Sequence, residues 1–325
     1  MNYKQFIIEK RNILESNPNM KDLSSMNLYE TYSFDHKIRE VVGHINGNIH
    51  RCHLVENWLD VFNFPLSLKS QIGTSTGVRD SLSITLDYFK DKKWIIPQDV
   101  YPFYQKLFKD KNMQYDEYKT LIDSELFSDL SSNDSDCLLL TFPLKPLGRN
   151  LTNEEILSIK NWLSEKCGRR LFIDSVYLNL SDPTTLSILL DFFSTDKTFI
   201  FFSLSKAFLL PKNFGLTLIP NREIHIRESF KKLIPKKENL NLAFQALNSE
   251  EINDRAYILI DNLEKKHQKL KSYLEDKNII VPKFNGGYFF YSDQYSYEEL
   301  LDMNILSIPE SVFGGSGSGV IFSSL

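Results

Sequence analysis

Several features that mark whole classes of protein are scarce or missing in this 325-residue chain. It has three cysteines, Cys52, Cys137 and Cys167, and none of them lies in a CxxC pair. Such sparse use is typical of a reduced, cytoplasmic protein and argues against a disulfide scaffold. The most apolar run, residues 198–210, contains a lysine and is too short to span a bilayer. The charged N-terminus lacks the apolar core of a signal peptide.

A strong excess of charge of either sign is also missing. The chain has 38 basic and 42 acidic side chains, mixed along its length, for a net charge of −4. This balance gives no general attraction to nucleic acid or to an anionic membrane, and we expect neither as a partner. Residues 50–53 hold two histidines and a cysteine, but their spacing fits no common zinc site, so we predict no metal.

The middle of the chain alternates apolar and amphipathic segments. Short apolar runs predict strands at residues 94–96, 137–142, 171–173 and 198–202. Amphipathic segments predict helices between them, one of which begins with the capping-box residues Thr152 and Glu155. Fully apolar strands separated by helices indicate an α/β fold, with a mostly parallel sheet flanked by helices on both faces.

The composition and the predicted secondary structure change after residue 222. Lys- and Glu-rich helical sequence runs to about residue 277, and strand-like pieces follow at residues 278–281, 288–291 and 305–308. We therefore predict a large domain at residues 46–222 and a smaller α+β domain built from residues 1–45 and 223–325. The length of the chain is sufficient for two such domains.

Polar residues follow three of the predicted strands. Asp174 follows one strand, Ser203 follows another, and Tyr101 lies just past a third. Functional sites of parallel sheets gather at the carboxyl ends of the strands. The sequence therefore predicts a site at this edge that brings these three side chains together.

Lys206 comes directly after an apolar strand, within the Ser-Leu-Ser-Lys segment of residues 203–206. Because burying an unpaired ammonium is costly, a lysine near a desolvated strand end can have a lowered pKa and form a Schiff base. The hydroxyls of Ser203 and Ser205 could bind a phosphate. The alternative interpretation is a lysine at the start of an exposed loop.

Two further segments could serve the same site. In Asp-Ser-Val-Tyr, residues 174–177, the carboxylate can pair with a protonated ring nitrogen, although an aspartate that caps a helix is also common. A helix start that suits an anion is predicted at Thr76, Gly77, Val78 and Arg79. The alternative for this second segment is an ordinary capped helix.

In their order and spacing, these segments resemble the class I and II aminotransferases, which are fold type I enzymes of pyridoxal 5'-phosphate (PLP). The resemblance rests on five motifs, at residues 76–79, 94–104, 142–155, 174–177 and 203–206. It implies the aspartate-aminotransferase-like fold of PLP-dependent transferases, with a large PLP-binding domain. It also implies PLP as cofactor, an amino-acid or amine substrate, and a homodimer with the active site at its interface.

The resemblance also implies roles for individual residues. Lys206 would hold the cofactor as a Schiff base and then move the proton at the substrate α-carbon. Asp174 would keep the ring nitrogen protonated, Tyr177 would bond the ring 3-hydroxyl, and Tyr101 would stack on the ring. The cofactor phosphate would be held by Thr76, Gly77, Val78, Arg79, Ser203 and Ser205.

The chain departs from the family pattern at three places. Lys145 stands where the family has an asparagine that contacts the 3-hydroxyl, and a lysine there would favour the ionised phenolate. Phe214 stands where many members have a phosphate-binding arginine. Residues 319–323 lack the arginine that clamps the substrate carboxylate in most members. Arg51 and Arg149 are other candidates for that clamp.

These observations leave three functions open. The first is an aminotransferase of specialised biosynthesis, with Lys206 as the Schiff-base lysine. The second is a PLP enzyme of elimination, cyclisation or decarboxylation, which Lys145 and the missing arginine favour. The third is a non-catalytic relative that keeps the fold for interaction or regulation, which the retained Lys206, Asp174 and Tyr177 oppose.

Overall fold

A seven-stranded sheet forms the centre of the molecule. The computed structural model describes residues 1–26, 51–100, 102–121, 127, 130–177, 183–208, 210, 214–233, 235–248, 250–281 and 287–325. With strands numbered in chain order, the sheet contains β2 (Ile72–Ser75), β3 (Trp94–Pro97), β4 (Tyr115–Tyr118), β5 (Cys137–Thr141), β6 (Arg170–Asp174), β7 (Thr198–Ser203) and β8 (Gly215–Leu218). Their spatial order is β2-β8-β7-β6-β5-β3-β4. Strands β4, β3, β5, β6 and β7 are parallel, whereas β8 and β2 run antiparallel at one edge.

Both faces of this sheet are buried because its central strands are apolar at nearly every position. In β5, Leu138 and Leu140 contribute to the core on one face, and Leu139 contributes to the core on the other. On the second face, the rings of Phe172 and Phe199 stack with their centroids 4.9 Å apart. The structure confirms the mostly parallel α/β sheet that the apolar runs predicted.

Helices cover the two faces. With helices numbered in chain order, the described ones are α1 (Tyr3–Ser16), α2 (Arg51–Val61), α3 (Val78–Tyr88), α4 (Phe103–Asp110), α5 (Asn153–Glu165), α6 (Pro183–Phe193), α7 (Leu204–Ala207), α8 (Ile224–Lys232), α9 (Lys237–Asn248), α10 (Glu250–Glu275) and α11 (Tyr297–Asp302). The predicted capping box is confirmed at α5, where Thr152 and Glu155 each accept the other's backbone N–H. Within the described ranges, no helix combines the length and apolarity needed to cross a bilayer.

A second core joins the two ends of the chain. It contains Phe6 of α1, Leu23, and side chains of β9 (Phe289–Ser292), β10 (Ile305–Leu306), β11 (Ile308–Pro309) and β12 (Val320–Ser323). Strands β11, β12 and β9 form an antiparallel sheet, and β1 (Lys21–Asp22) pairs in parallel with β10. The N-terminal residues therefore pack with the C-terminal segment.

One local prediction was wrong. Residues 278–281 form no strand, because Asn278 adopts a left-handed backbone with a φ of 61° and the Ile279 N–H bonds back to the Leu274 carbonyl. These residues therefore end the long helix α10 instead of starting a strand. The alternative interpretation of Lys206 as the start of an exposed loop does not hold, since β7 runs directly into the short helix α7.

The helices after residue 222 divide between the cores on the two faces of the seven-stranded sheet and the core built from the chain ends. The prediction assigned all of them to the smaller domain. Ile226 and Phe230 of α8 nevertheless belong to a core beside the seven-stranded sheet, and Leu242 of α9 belongs to the core on its other face. Leu263 and Leu270 of α10 belong to the core built from the chain ends. The predicted limits of the two domains themselves stay a prediction.

Candidate active site

The carboxyl edge of the parallel strands brings together polar side chains predicted for the site. Asp174 is the last residue of β6, and Ser203 is the last residue of the neighbouring β7. Both side chains are largely buried, and Asp174 is 7 % exposed. The structure thus places Asp174 and Ser203 at one edge, as the strand pattern predicted, while Tyr101 lies outside the described residues.

The Asp174 carboxylate is held by two hydrogen bonds. Its Oδ1 accepts from the Val176 backbone N–H at 3.1 Å. Its Oδ2 accepts from the Tyr104 hydroxyl at 2.5 Å. Tyr104 lies in the first turn of α4 and is 2 % exposed. A buried carboxylate fixed in this way is suited to pair with a cationic group at the sheet edge, because burial strengthens the attraction between charges.

Lys206 lies in α7, which follows β7 directly. The Leu204 N–H donates to the Phe214 carbonyl at 3.1 Å and ties the start of this helix to the residue before β8. Burial lowers the pKa of the Lys206 amine, and the positive charge of Arg79 lowers it further. Because a lowered pKa increases the neutral fraction of an amine at a given pH, Lys206 is suited to act as a nucleophile or a base.

Lys145 is a second lysine of this edge, and it follows β5. Its backbone N–H donates to the Thr141 hydroxyl at 3.2 Å. Its ammonium lies over the Tyr177 ring, with Nζ 3.6 Å from the ring centroid. Burial lowers the pKa of Lys145 to about 8, with the Asp174 charge opposing this shift and the Lys206 charge adding to it. Lys145 is therefore within electrostatic reach of both Asp174 and Lys206.

Glycine and serine shape the turn before α3. Gly77 is the N-cap residue of this helix, has a φ of 141°, and offers no side chain to cap it. The Ser75 hydroxyl donates to the Gly77 carbonyl at 3.0 Å and lies 2.6 Å from the Ser81 hydroxyl. A Cβ on Gly215 of β8 would lie 2.5 Å from the Ser75 Oγ, so only glycine fits there. This close packing fixes a helix start that is not capped by a side chain and therefore suits an anion.

Three of the predicted phosphate ligands already have partners. The hydroxyls of Ser203 and Ser205 lie 2.6 Å apart, and both residues are buried. The Thr76 hydroxyl donates to the Asp80 Oδ2 at 3.0 Å, and the Thr76 backbone N–H donates to the same oxygen at 3.1 Å. Hydroxyl groups can accept as well as donate, so these contacts leave the serines and Thr76 with further capacity for hydrogen bonds.

Val78 and Arg79 are the first two residues of α3. The Arg79 guanidinium lies over the Phe103 ring, with Cζ 4.8 Å from the ring centroid. Its charge also reaches Lys206, whose pKa it lowers. The arginine predicted for the phosphate is thus oriented by an aromatic ring at the start of α4.

Arg51 and Arg149, the two arginines considered for a substrate carboxylate, have structural partners. Arg149 forms a two-bond ion pair with Glu155, in which the nitrogen–oxygen distances are 2.9 and 2.8 Å. Arg51 donates to backbone carbonyls at the C-terminal end of α8. Both guanidinium groups therefore stabilise helix ends, one at the start of α5 and the other at the end of α8.

The smaller core approaches this edge through Tyr177 and a glycine-rich loop. The Tyr177 ring packs edge-on against Tyr288, with ring centroids 4.9 Å apart. Gly314 has a φ of 98°, and a Cβ there would lie 2.7 Å from the Gln98 carbonyl oxygen just past β3. The loop is held by Glu310, whose buried carboxylate accepts from the Tyr291 hydroxyl at 2.9 Å. This side of the molecule thus carries an acidic group.

Comparison with known proteins assigns the chain to a family. A model of the family "Aminotransferase class I and II" matches residues 68–321. The chain belongs to this family. Family membership makes it an aminotransferase-like enzyme that uses PLP, as the motifs implied. Among curated proteins, no sequence matches the chain.

Solved structures of aminotransferases and of a lyase have the same fold. An aminotransferase from Mycobacterium tuberculosis superposes with a TM-score of 0.78 at 15% identity, covering 98% of this chain and 90% of that one. An aromatic aminotransferase from Pyrococcus horikoshii OT3 gives 0.71 at 17% identity, with 97% and 93% covered. A PLP-bound C–S lyase from Staphylococcus hominis gives 0.68 at 16% identity, with 88% and 79% covered. The chain therefore has the PLP-dependent transferase fold.

The described residues of this aminotransferase-like enzyme fit the cofactor. Asp174 provides a buried carboxylate of the kind that pairs with a pyridine nitrogen in PLP enzymes. Lys206 provides an amine of lowered pKa for the aldehyde. The start of α3 at Gly77, beside Arg79, provides backbone and side-chain donors for the phosphate. Ring nitrogen, aldehyde and phosphate therefore each have a chemically suitable group among these residues.

Sequence reasoning missed two residues of the site. Tyr104 received no role, although it lies in the motif of residues 94–104 and only three positions after Tyr101. Side chains three positions apart lie on the same face when the segment is helical, so the spacing from Tyr101 was a signal that Tyr104 could serve the same site. Ser75 was also missed, since its role depends on Gly215, which lies on another strand.

Proposed function

We propose that this enzyme is an aminotransferase of specialised biosynthesis that acts on an amino acid, with Lys206 as the lysine that binds PLP covalently. The observation that carries the proposal is the buried Asp174 carboxylate, fixed by the Tyr104 hydroxyl and the Val176 N–H at the carboxyl edge of the sheet, where β7 leads directly into the short helix of Lys206. It supports a single small site in which an amine and a buried carboxylate serve the two reactive parts of the cofactor. The changes at Lys145, Phe214 and residues 319–323 favour a specialised substrate.

The proposed chemistry divides between the cofactor and the chain. When bound, PLP supplies the electron sink that makes the substrate α-proton removable. Lys206 takes this proton as a base and returns it during transfer of the amino group, and its lowered pKa favours the neutral amine that this task needs. Asp174 holds the positive charge at the ring nitrogen, which favours electron withdrawal.

The remaining assignments belong to the same proposal. Tyr177 and Lys145 contact the ring 3-hydroxyl, and Tyr101 stacks on the ring. The phosphate is held by Thr76, Gly77, Val78, Arg79, Ser203 and Ser205. The helix start at Gly77 and the charge of Arg79 support this part, because both favour an anion.

The first experiment is the visible absorbance spectrum of the purified protein with added PLP, beside a Lys206→Ala variant. We expect a band of lysine-bound cofactor that borohydride bleaches and that Lys206→Ala lacks. A matched control is Lys145→Ala, which removes the other lysine of the site and should keep the band. A borohydride-trapped adduct on Lys145, located by peptide mass spectrometry, would contradict the assignment of Lys206.

Transamination itself is tested by following the products. The enzyme should convert bound cofactor to its amine form with an amino acid alone, and should complete the cycle only when a keto acid is added. Labelled nitrogen from the amino acid should appear in the product of the keto acid. Release of free ammonia without any acceptor would contradict transamination.

A second candidate is elimination from a sulfur-containing amino acid. It is favoured by Lys145, which places a cation where the family has a neutral asparagine, and by the likeness in fold to the Staphylococcus hominis C–S lyase. In an elimination, Lys206 would again remove the α-proton, and the sulfur group would leave from the next carbon. Ammonia and a keto acid formed in equal amounts, with no acceptor present, would identify this reaction.

We also expect a cytoplasmic homodimer whose active site lies at the subunit interface. The family resemblance supports this expectation. Sedimentation velocity of the purified protein, with and without PLP, measures its mass in solution. A monomer at every concentration tested would contradict the homodimer.

A further inference from the structure

The hydrogen bond between Tyr104 and Asp174 connects parts of the sheet that are not neighbours. Tyr104 lies in the first turn of α4, which follows β3, while Asp174 ends β6, and β5 lies between these two strands. The start of α4 is anchored to the end of β3 by Gln105, whose amide donates to the Pro97 and Gln98 carbonyls at 3.0 and 2.8 Å. The hydrogen bond of Tyr104 therefore spans β5, and it starts from a helix end that Gln105 holds against β3.

The Tyr104 hydroxyl acts as a donor in this bond. Burial raises the pKa of the Tyr104 hydroxyl well above its ordinary value, and the negative charge of Asp174 raises it further. The phenol consequently stays protonated throughout the working range of an enzyme. It can direct its proton to Asp174 Oδ2, at 2.5 Å, as a short hydrogen bond to a charged group.

From this geometry we infer that Tyr104 is a positioning residue that controls the ring nitrogen of the cofactor through Asp174. The inference rests on the proposed pairing of Asp174 with that nitrogen. A hydrogen bond donated to a carboxylate favours the ionised form over the acid. Tyr104 would thus disfavour transfer of a proton from the ring nitrogen to Asp174 and would keep the ring cationic.

The two hydrogen bonds of Asp174 also restrict its orientation. Val176 N–H occupies Oδ1, and Tyr104 occupies one acceptor position of Oδ2. A carboxylate oxygen has two lone pairs, so Oδ2 keeps capacity for a second donor. The structure thereby leaves the carboxylate able to bind a ring N–H while its rotation is limited from both sides.

The test compares Tyr104→Phe with a matched control, Tyr118→Phe. Tyr118 is the last residue of β4 in the same sheet, and its hydroxyl donates to the Leu139 carbonyl at 3.0 Å instead of to a carboxylate. Each variant keeps the ring and loses one hydroxyl. Both are loaded with PLP and with 1-deaza-PLP, the analogue that has carbon in place of the ring nitrogen, and the dissociation constants are measured by fluorescence.

The expected result is specific to the ring nitrogen. Tyr104→Phe should weaken PLP about tenfold, the order expected for one hydrogen bond to a charged group, and leave 1-deaza-PLP within about twofold of the unaltered protein. Tyr118→Phe should bind both molecules as the unaltered protein does. Equal losses of both molecules in Tyr104→Phe would show a purely structural role, and no loss of either would also overturn the inference.

A second readout reports the proton directly. In protein loaded with PLP that carries nitrogen-15 in its ring, the nitrogen chemical shift separates the protonated from the neutral ring. We expect a protonated ring in the unaltered protein and a larger neutral fraction in Tyr104→Phe. An unchanged shift would overturn the inference. If the unaltered protein already has a neutral ring nitrogen, the pairing proposed for Asp174 fails instead, which separates the two failures.

Discussion

The two sides of the proposed active site differ in how closely they follow the family pattern. On the side of the cofactor ring, Asp174, Tyr177 and Lys206 match the family motifs, and Asp174 is fixed by two hydrogen bonds. On the side where most members clamp a substrate carboxylate, residues 319–323 contain no arginine. Glu310 places a buried carboxylate in the 3-10 helix (Glu310–Phe313) that precedes them.

This difference separates what every PLP reaction needs from what one substrate needs. A lysine, a partner for the ring nitrogen and a phosphate site are required whichever bond of the substrate is broken. The group that binds a carboxylate matters only for substrates that carry one in that place. A chain that keeps the first set and changes the second is expected to retain cofactor chemistry with altered recognition.

We expect the largest effect when the negative charge of Asp174, proposed to pair with the ring nitrogen, is removed. Asp174→Asn keeps the shape of the side chain, and its amide oxygen can still accept from Tyr104, but it cannot balance a cationic ring. We expect removal of the substrate α-proton to slow by at least about hundredfold, the order found when a preorganised electrostatic group is lost. Stopped-flow absorbance with a pre-loaded enzyme measures this step.

The control for this prediction is Asp196→Asn at the opposite end of β7. Asp196 also accepts a backbone N–H, from Asn221 at 2.6 Å, but lies before the strand instead of at its carboxyl end. It should leave the rate of proton removal within about threefold, as for a surface substitution away from the site. If Asp174→Asn behaves like this control, Asp174 does not have its proposed role at the ring nitrogen.

The next prediction concerns Arg149, which the sequence offered as a substitute clamp. Its two-bond pair with Glu155 is largely buried, so Arg149→Met should lower the free energy of unfolding by about 2 kcal/mol. We expect no change in the preference for amino acids over the corresponding amines. Urea unfolding and substrate titrations measure the two effects. A lost preference for carboxylates would indicate that Arg149 binds the substrate carboxylate after all.

Arg149 shows why the sequence predicted the fold better than it predicted the residues that bind the substrate. The capping box of Thr152 and Glu155 follows a local rule and was predicted from four adjacent residues. That the same Glu155 also takes the nearby arginine depends on how the chain turns before α5. A free cation and a paired one look alike in a sequence, because pairing is decided by packing.

Separation along the chain explains why other features of the site and the sheet were not predicted from the sequence. Asp174 and Ser203 were predicted at one edge because each ends its own apolar strand, which is local information. The bond between Tyr104 and Asp174 joins residues 70 positions apart and requires the strand order of the sheet. Strands β2 and β8 were also missed, since their antiparallel pairing brings together residues such as Gly73 and Thr217. Periodicity alone carries no such order.

A smaller effect is expected at the phosphate. With Phe214 in place of the usual arginine, Arg79 is the proposed cation beside the start of α3. Arg79→Met should weaken PLP by about fivefold to tenfold, since the side chain is exposed and solvent screens its charge. Pyridoxal, which has no phosphate, should bind Arg79→Met and the unaltered protein equally. Equal losses for both molecules would show that Arg79 acts on Lys206 or on the fold instead.

The smallest expected effect is on stability, at Lys145. Burial lowers the pKa of Lys145 in the folded protein to about 8, below its ordinary value of 10.5. Between these values the unfolded chain binds more protons than the folded one, so the contribution of Lys145 to stability rises as the pH rises through this window. Because the side chain is only partly buried, we expect this rise to be about 1 kcal/mol in the protein without cofactor.

Lys145→Met removes the titrating group and tests this cost. The variant should be more stable than the unaltered protein at pH 7, by about 1 kcal/mol, and the difference should shrink between pH 8 and pH 10. Urea unfolding at several pH values measures it, with the exposed Lys265→Met as control. A stability cost that disappears with the lysine would indicate that Lys145 is kept for the site and not for the fold. A variant that is less stable at every pH would show that Lys145 stabilises the fold by packing against Tyr177.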